Sequence, residues 1–413
     1  MTAPAVLLID ATGPDAERLL KAAADRRITI HAATSHDQDQ AVLPVGVSGV
    51  VAVDFAQTDR AVAEIVEYCR RHQIEAVLTF NEYLTVVVAQ VCAALGLPGN
   101  EPRRAPAARD KEAMATALTR AGVRVPATVV LHDQHDLRGM QVATPCVVKP
   151  ASGAGSVGVS VVTAPADLPA AVHAARSARG MYGNENRRVL IQPLIRGHEY
   201  SVESVVQDGV ARHLAVTRKT VTGYPHRVET AHHVPAVLAF DQQRALKREA
   251  ERAIRAVGIR NGAAHTELIL GHDGTCTVIE IGARLAAGQI GLLLRYALAI
   301  DVYAVLLDIA LGRPAAVQQD RGGHAMVRFV TAPEGGRLVA VEGLPAVGPG
   351  VPYVRQRFNP GERVTTALSN RDRVAEFVVA GTDPVEVEAR AENLADQIRV
   401  RVRSESGLAT SAG

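Results

Sequence analysis

Two glutamates in the second half of the chain have a spacing that suits a metal site. Glu267 lies in the run HTELIL and Glu280 in the run TVIEIGAR, with the turn GHDG between them. Apolar alternation around a glycine-containing turn predicts a β-hairpin, whose two strands can direct two carboxylates at one point. Because Mg²⁺ commonly binds one or two carboxylates together with substrate phosphates, this hairpin is a candidate magnesium site.

These residues also have a plain structural interpretation. Glu267 and Glu280 could be two exposed strand residues, although both runs are otherwise apolar and an unpaired buried carboxylate is costly. His265 precedes Glu267 by two positions, and we expect it to be a packed hairpin residue rather than a catalyst.

A glycine-rich segment upstream has the composition of a phosphate-binding loop. The apolar run PCVV ends at Lys149 and leads into PASGAGSVG (residues 150–158), after which the strand-like run VSVV follows. Glycines let backbone N–H groups approach phosphate oxygens closely, and the lysine adds a positive charge. No Gly-Lys-Ser/Thr closes the loop and opens a helix, so the pattern differs from the Walker A motif. We predict a strand–loop–strand flap; taken alone, the loop could equally be an ordinary hairpin.

The composition is that of a globular enzyme with no bias toward nucleic acid or membrane. Of 413 residues, 47% are hydrophobic and 21% are charged, and the net charge is +2, which gives no electrostatic attraction to either partner. Aromatic residues make up 3% and Trp is absent, so base-stacking platforms are not expected. The four cysteines show no C-x-x-C spacing, and we recognise no signal peptide or membrane-spanning run. We therefore expect a cytoplasmic protein with reduced thiols.

The first hundred residues alternate strand-like and helix-like patterns, which predicts a doubly wound parallel sheet. Ligands bind at the carboxyl ends of such strands, so Asp10, Asn81 and Glu82 are candidate substrate contacts. Helix capping is an equally good interpretation of these residues. Short strands and a helix-like run over 384–398 predict an α+β region at the other end of the chain.

Taken in order, these motifs resemble those of ATP-grasp enzymes, and specifically the carboxylate–amine ligases that include the L-amino-acid (dipeptide) ligases. The resemblance covers nearly the whole chain. It implies an ATP-grasp fold of mixed α/β and α+β domains. The implied segments are 1–100 for an N-terminal doubly wound parallel-sheet domain, 101–140 for a linker with a helical and strand segment, 141–206 for the lid with the phosphate flap, 207–320 for the catalytic domain with the metal site, and 321–413 for a small C-terminal α+β domain.

The resemblance also implies a site for ATP and Mg²⁺, which Mn²⁺ could replace. Two lysines and the flap would bind the phosphates, a hinge would read the adenine edge, and a glutamate would bind ribose. These residues are Lys111, Lys149, Ser152, Gly153, Gly155, Ser156 and Gly158 for phosphate, Gln192, Pro193 and Leu194 for adenine, and Glu199 for ribose. Glu267 and Glu280 match the metal ligands, whereas the third metal position, usually Asn, is Gly282.

Five residues match substrate or catalytic positions of these ligases. Arg284 would hold an acyl phosphate or the substrate carboxylate, Glu229 would hold an α-ammonium group, and His232 would assist at the amine. Lys219 and Gly288 complete the set, as a phosphate contact and a substrate residue. The residues alone leave His232 equally well explained as a solvated loop histidine, and Lys219 as a surface lysine.

The activity implied by the resemblance is that of an ATP-dependent ligase. It would form an amide or peptide bond through an acyl phosphate, joining amino acids or an amino acid and a small amine, and release ADP and phosphate. Its partners would be small carboxylates and amines, with no nucleic acid or membrane, and a homodimer is the default assembly. The alternatives are a carboxylase or purine-type ligase, a ligase that loads an amino acid onto a carrier protein, and a catalytically silent ATP-binding protein.

Overall fold

The structure, a computed structural model, describes residues 3–35, 45–132, 137, 139–178, 180–183, 188–318 and 322–404. Within that part of the chain the strands form four sheets. The two ends of the chain and the predicted boundary at 321 lie outside the described residues. The division into five segments at the predicted boundaries stays a prediction.

The N-terminal region is built around a parallel sheet, as the sequence predicts. Its strands are β1 (Ala5–Ile9), β2 (Thr29–Ser35), β3 (Val47–Val53) and β4 (Ile74–Thr79), and its helices are α1 (Gly13–Asp25), α2 (Thr58–Arg71) and α3 (Thr85–Leu95). The strand order is β3-β2-β1-β4, and all neighbours are parallel. Leu8 of β1 packs with α1, whereas Leu7 packs with α2 and α3. Both faces of the sheet are therefore covered, as in a doubly wound fold.

A small antiparallel sheet carries the flap. Its elements are α4 (Lys111–Arg120), β5 (Val129–Leu131), β6 (Cys146–Pro150), β7 (Ser160–Val162), α5 (Leu168–Ser177) and β8 (Val189–Pro193), with strand order β5-β8-β6-β7. The antiparallel pair β6–β7 confirms the predicted strand–loop–strand flap. The Asp110 carboxylate caps α4 by accepting from the N–H groups of Glu112 and Ala113, which fixes Lys111 in the first turn.

The largest sheet joins the hairpin to the C-terminal region. The remaining elements are β9 (His198–Gln207), β10 (Val210–Val221), β11 (Glu229–Val234), α6 (Phe240–Val257), β12 (Gly262–Leu270), β13 (Cys276–Gly282), α7 (Ile290–Leu298), α8 (Val302–Ala310), β14 (His324–Thr331), β15 (Gly336–Glu342), β16 (Tyr353–Gln356), β17 (Arg363–Val364), β18 (Arg373–Gly381), α9 (Pro384–Gln397) and β19 (Arg399–Arg403). Eight strands run in the order β13-β12-β9-β10-β11-β14-β18-β16, and β17-β15-β19 form a separate sheet. Because β11 pairs with β14, the C-terminal strands continue the sheet that contains the hairpin.

Helix α6 packs against one face of the hairpin formed by β12 and β13. Its apolar stripe, with Leu246, Ala250 and Ile254 fully buried, packs with Leu268 and Val278 of the hairpin. Leu268 and Ile281, which directly follow Glu267 and Glu280, both pack in this cluster, and because side chains alternate across a strand the two glutamates point to the opposite face. A register shift between Glu267 and Leu268 lets Val278, two residues before Glu280, pack in the cluster as well. The hairpin itself is confirmed, since β12 and β13 pair antiparallel.

No single helix in the described part of the chain is long and apolar enough to cross a membrane. Helices α7 and α8 meet this requirement for length and apolar composition only when they are taken together, and the chain bends by 112° between them.

The turn before β9 requires a glycine, and this generates a stability prediction. A Cβ at Gly197, whose φ is +152°, would lie 2.3 Å from the carbonyl oxygen of Leu270. We expect Gly197→Ala to lower the free energy of unfolding by about 2–3 kcal/mol, because backbone must move to admit the methyl group. Gly223→Ala is the matched control, since nothing lies within 4 Å of its Cβ position. Equal stability of the two variants in chemical denaturation would contradict this assignment.

Candidate active site

Two adjoining cavities lie between the flap and the large sheet. One, of about 150 Å³, is lined by the flap, the hinge after β8 and the hairpin. The other, of about 350 Å³, is lined by the hairpin, β11 and the C-terminal strands. The residues common to both are Ala154, Gly155, Ser156, Lys219, Glu229, Glu267 and Glu280. Glu267 and Glu280, the predicted metal-binding residues, therefore lie at the boundary between the two cavities. A group transferred from a molecule in one cavity to a molecule in the other would pass this point.

Most residues predicted to bind ATP line the smaller cavity. They are Lys111, Lys149, Gly153, Gly155, Ser156, Gln192, Pro193, Leu194 and Glu199. Ser152 and Gly158 do not. The carbonyl of Ser152 accepts a hydrogen bond from Arg109 at 2.8 Å. Gly158 has a φ of +71°, and a Cβ there would lie 2.8 Å from the Cβ of Ala178 at the end of α5, so both residues support the flap in this structure.

Lys149 is a buried cation at the end of the smaller cavity. It is 5% exposed, and no residue that the structure describes forms a hydrogen bond or ion pair with its ammonium group. Burial lowers the pKa of Lys149 to about 8, although the Glu280 carboxylate acts in the opposite direction. A buried ammonium beside an open volume fits an anionic phosphate, which would supply the missing counter-charge.

The hinge consists of Gln192 and Pro193 at the end of β8 and of Leu194 just beyond it, and two of these residues already form hydrogen bonds within the protein. The sequence places Gln192 where an acidic residue is common in the family it resembles, and the buried amide Nε2 donates to Thr128 Oγ1 at 2.8 Å. The N–H of Leu194 donates to the carbonyl of Pro145 at 3.2 Å. Glu199 forms an ion pair with Arg227, so a ribose hydroxyl would share this carboxylate with a guanidinium group.

Glu267 and Glu280 are directly opposed in the register of β12 and β13. Lys111 Nζ is 2.9 Å from Glu280, and Lys219 donates to Glu267. Burial works against both ionised carboxylates, but Lys219 and Lys111 outweigh it, so the pKa of Glu280 is lowered and that of Glu267 falls well below its usual range. Two adjacent carboxylates fit a hard divalent cation. Among the described residues no group of three or more His, Cys, Asp or Glu is arranged to hold a metal. Mg²⁺ commonly binds one or two carboxylates together with substrate phosphates and water, which is the number of carboxylates that this pair offers.

His265 is more than a packed hairpin residue, because it links Glu267 to a second buried carboxylate. Its Nδ1 lies 2.9 Å from Glu203 and its Nε2 lies 3.0 Å from Glu267. Burial disfavours the imidazolium, but the two carboxylates outweigh burial and raise the pKa of His265 to about 9. The sequence prediction missed Glu203; the available signal was a carboxylate inside an otherwise apolar and small-residue strand.

Glu229 is surrounded by donors. Lys219 lies 2.8 Å from one carboxylate oxygen, while Asn370 and Arg373 lie 2.9 and 2.8 Å from the other. Nε2 of His232 is 3.2 Å from this second oxygen but forms no hydrogen bond with a described residue. Burial opposes the charge, but Lys219 and the other cations hold the pKa of Glu229 well below its usual range. A carboxylate has about four acceptor positions and three donors already bind this one, so one position remains for the α-ammonium group predicted to bind here.

His232 and Lys219 are buried, so two of the alternative interpretations are wrong. His232 is 1% exposed on β11 and Lys219 is 8% exposed on β10. The Nδ1 of His232 lies 3.0 Å from the carbonyl of Gly288, which can only accept, so Nδ1 carries a proton and Nε2 faces Glu229. Gly288 has a φ of +67°, and a Cβ there would lie 2.5 Å from the His232 ring. Gly288 therefore lets the backbone approach and orient His232.

Arg284 is held by a residue of the N-terminal region. It forms a buried ion pair with Glu82, whose side chain is 7% exposed. A Cβ at Gly282 would lie 3.1 Å from Oε2 of this Glu82. The Glu82 carboxylate thus occupies the space beside Gly282, where a third metal-site side chain would otherwise begin.

The other two N-terminal candidates lie outside both cavities. Asn81 donates to Asp10 at 2.5 Å and accepts at 2.9 Å from the N–H of Tyr83, so Asn81 caps the short turn that follows β4. For Asn81 the capping interpretation is therefore the one the structure bears out.

Comparison with known proteins agrees with this arrangement. Sequence models match in consecutive order: an ATP-grasp N-terminal domain at residues 22–99, an ATP-grasp domain at 142–292, and an L-amino acid ligase C-terminal domain 2 at 328–403. The chain belongs to the ATP-grasp superfamily. Within it, the match at the C-terminus and the relatives below confirm the resemblance to the carboxylate–amine ligases.

Relatives of this ATP-grasp chain include known ligases. It is 28% identical over 271 residues to alanine–anticapsin ligase of Bacillus subtilis, a match that covers 61% of this chain and 57% of that protein. It is 27% identical over 296 residues to carnosine synthase 1 of Gallus gallus, covering 65% of this chain and 32% of that protein. The L-amino acid ligase of Bacillus licheniformis has the same fold, with a TM-score of 0.84 and 21% identity over 98% of this chain and all of that one. The chain thus matches little more than half the length of the first of these relatives.

The lowered pKa of Lys149 predicts how nucleotide affinity depends on pH. A bound phosphate favours the protonated lysine, so affinity is constant below the unliganded pKa of about 8 and is lost as the pH rises above it. We expect the Kd for Mg·ADP to rise by about tenfold per pH unit above that value. Lys149→Arg, which stays charged, should remove this slope, whereas the exposed control Lys21→Arg should keep it. A slope unaffected by Lys149→Arg in calorimetric titrations would disprove the assignment.

The contact between Gly282 and Glu82 predicts a coupling between the two positions. Glu82→Ala should lower the free energy of unfolding by about 3–5 kcal/mol, because it leaves the Arg284 guanidinium buried without a counter-charge. Gly282→Ala should cost about 1 kcal/mol by crowding the Glu82 carboxylate. In the Glu82→Ala background the added methyl group meets no carboxylate, so its cost should disappear. Strictly additive effects in a denaturation double-mutant cycle would contradict the proposed contact.

Proposed function

We propose that this protein is an ATP-dependent ligase that joins the carboxylate of one amino acid to the amine of another amino acid or small molecule. The observation that carries this proposal is the position of Glu267 and Glu280 between the two cavities. Lys149 and the hinge residues line only the smaller cavity, while Arg284 and His232 line only the larger one. The named activities of the relatives, alanine–anticapsin ligase and carnosine synthase, support amino acids as substrates.

The residues of the smaller cavity fit ATP with a divalent cation, which we propose to be Mg²⁺. Lys111, Lys149 and the N–H groups of the flap would neutralise the phosphates, and Glu267 and Glu280 would hold the cation. Bound there, ATP supplies a γ-phosphoryl group that turns the substrate carboxylate into an acyl phosphate, with ADP as the leaving group. The protein's part is to position the reactants and to neutralise charge.

The residues of the larger cavity serve the second half of the reaction. Arg284 is placed to stabilise the negative charge that develops on the carbonyl oxygen when the amine attacks. His232, with Nδ1 bound to the Gly288 carbonyl, presents Nε2 as a site for the proton that the amine loses. Attack forms the C–N bond, and breaking of the C–O bond releases phosphate.

Water must be kept away from an acyl phosphate, and the flap is docked in a way that supports this. The N–H of Asn370 donates to the carbonyl of Gly155 at 3.1 Å, and the Asn370 side chain binds Glu229. One residue of the C-terminal region therefore contacts both the flap tip and the carboxylate at the cavity boundary. This arrangement closes the flap over the site where the intermediate would form.

Three further sequence expectations remain proposals. We retain a homodimer and a cytoplasmic compartment as the working description, together with small-molecule rather than macromolecular partners.

The proposed function predicts phosphate release that requires two amino acids. The assay is a matrix of paired amino acids with Mg·ATP, followed by mass spectrometry of each active pair. We expect a product with the mass of the two amino acids less one water. Glu280→Gln should reduce turnover by at least about 100-fold, because the cation loses a ligand, whereas the exposed control Glu334→Gln should not.

Each other outcome has a distinct meaning. Phosphate release with a single amino acid would favour a different amine or a carrier protein as acceptor. Release with bicarbonate instead would favour the carboxylase alternative. Undiminished turnover in Glu280→Gln would disprove the metal assignment.

A further inference from the structure

One wall of the larger cavity is rich in arginine. Arg355 on β16, Arg357 just beyond it, and Arg371 just before β18 line this wall, which the C-terminal region supplies. All three side chains are exposed to the cavity mouth or to solvent. The wall lies away from the hinge and from Lys149, which line the other cavity.

These three arginines differ from the other cations of the cavity in lacking a carboxylate partner. Arg373 is bound to Glu229 at 2.8 Å, and Arg284 is bound to Glu82. In contrast, no carboxylate of the described chain lies within 4.0 Å of the guanidinium nitrogens of the three wall arginines. The polar contact that Arg357 does make is a donation to the carbonyl of Asn370 at 3.3 Å.

The carboxylates that face this wall do not balance its charge. Glu376 stands opposite Arg355 in the β16–β18 register, and its Oε1 already accepts from Gln289 at 2.7 Å and from Tyr353 at 3.2 Å. Glu229, Glu267 and Glu280 are each bound to lysine or arginine. Among the described residues that line this cavity, three guanidinium groups thus face a single carboxylate, Glu376, that has no cationic partner within 4.0 Å. Clustered like charges repel, so a bound anion would stabilise this wall.

The α-carboxylate of an ordinary amino acid accounts for only part of this excess. One guanidinium group can bind one carboxylate through two parallel hydrogen bonds. A second anionic group on the same substrate would engage the remaining arginines.

We propose that the amine-donating substrate is an amino acid with a second anionic group, a carboxylate or a phosphate, and that Arg357 and Arg371 bind this group. The inference rests on the proposed ligase function, because it assigns the larger cavity to the amino-acid acceptor. It predicts that acidic acceptors are preferred over neutral ones of the same shape.

The test compares acceptors that carry a second anionic group with neutral counterparts that lack it. L-glutamate is paired with L-glutamine, L-aspartate with L-asparagine, and O-phospho-L-serine with L-serine, each with the same acyl-donating amino acid and Mg·ATP. Tandem mass spectrometry assigns the order of the two residues in the product. We expect kcat/KM for the better acidic acceptor to exceed that of its neutral counterpart by roughly 10- to 100-fold, as for hydrogen bonds to charged groups. Whether glutamate or aspartate, or instead phosphoserine, shows the larger ratio identifies the anionic group as carboxylate or phosphate.

Two variants separate a specificity role from a structural one. Arg357→Gln and Arg371→Gln should each lower the acidic-to-neutral ratio by roughly tenfold, mainly through KM for the acidic acceptor. Arg244→Gln is the matched control, because Arg244 is exposed on α6 and lines neither cavity. Equal losses for acidic and neutral acceptors would indicate a structural role and overturn the proposal. A rise in KM for ATP alone would assign these arginines to phosphate and would also overturn it.

The proposal can fail independently of the ligase function. Ligation without any preference for acidic acceptors would leave the ligase function intact and reject the acidic substrate. If no pair of amino acids is ligated, the anionic subsite can still be tested by calorimetric titration of L-glutamate and of L-glutamine into the protein with Mg·ADP. Tighter binding of L-glutamate that is lost in Arg371→Gln would support the anionic subsite, and equal or absent binding would reject it.

Discussion

The active site depends on the neutralisation of like charges that the sheet register forces together. Glu267 and Glu280 face each other across β12 and β13, and like charges in that position are destabilising unless they are compensated. The compensation comes from Lys111 at the start of α4 and from Lys219 on β10. The carboxylate pair therefore holds two otherwise separate elements against the hairpin. A divalent cation with phosphates would enter by exchanging with these same ammonium groups, which are then free to bind phosphate.

The same principle ties the other parts of the chain to this hairpin. Glu82, which follows the parallel sheet, binds Arg284, and Arg373 of the C-terminal strands binds Glu229. Both contacts are buried, so removing Glu82 would leave the Arg284 guanidinium group without its ion-pair partner in a region of low dielectric. Glu229 would keep its ion pair with Lys219 if Arg373 were removed. The cavities thus lie between several regions of the chain rather than within one of them. They exist because three regions are held in fixed positions by buried ion pairs around one pair of carboxylates.

Local sequence patterns could predict the hairpin and the flap, but not the residues that support them. Alternation and a glycine-containing turn predict the hairpin, because both signals lie within twenty residues. They do not predict the register shift between Glu267 and Leu268, which puts Glu280 rather than Ile279 opposite Glu267. Asn370 reaches Glu229 across 141 residues, since β11 pairs with β14 and β14 with β18. The order of strands in a sheet cannot be predicted from hydrophobic periodicity. Whether a polar residue is buried or exposed depends on that strand order. For this reason His232 was equally compatible with a solvated loop.

At Gly282 the absence of a side chain leaves room for the Glu82 carboxylate. From the sequence, glycine at a position usually occupied by Asn is only the loss of a ligand. In the structure, the Glu82 carboxylate approaches so closely that a Cβ would lie 3.1 Å from its oxygen, and this carboxylate orients Arg284. Because Glu82 is committed to the guanidinium group, it does not replace the absent ligand. The site instead has two opposed carboxylates, which we propose to bind the metal, and a firmly held arginine two residues after Gly282. This fits a reaction in which phosphate completes the coordination of the metal and the arginine stabilises an oxyanion.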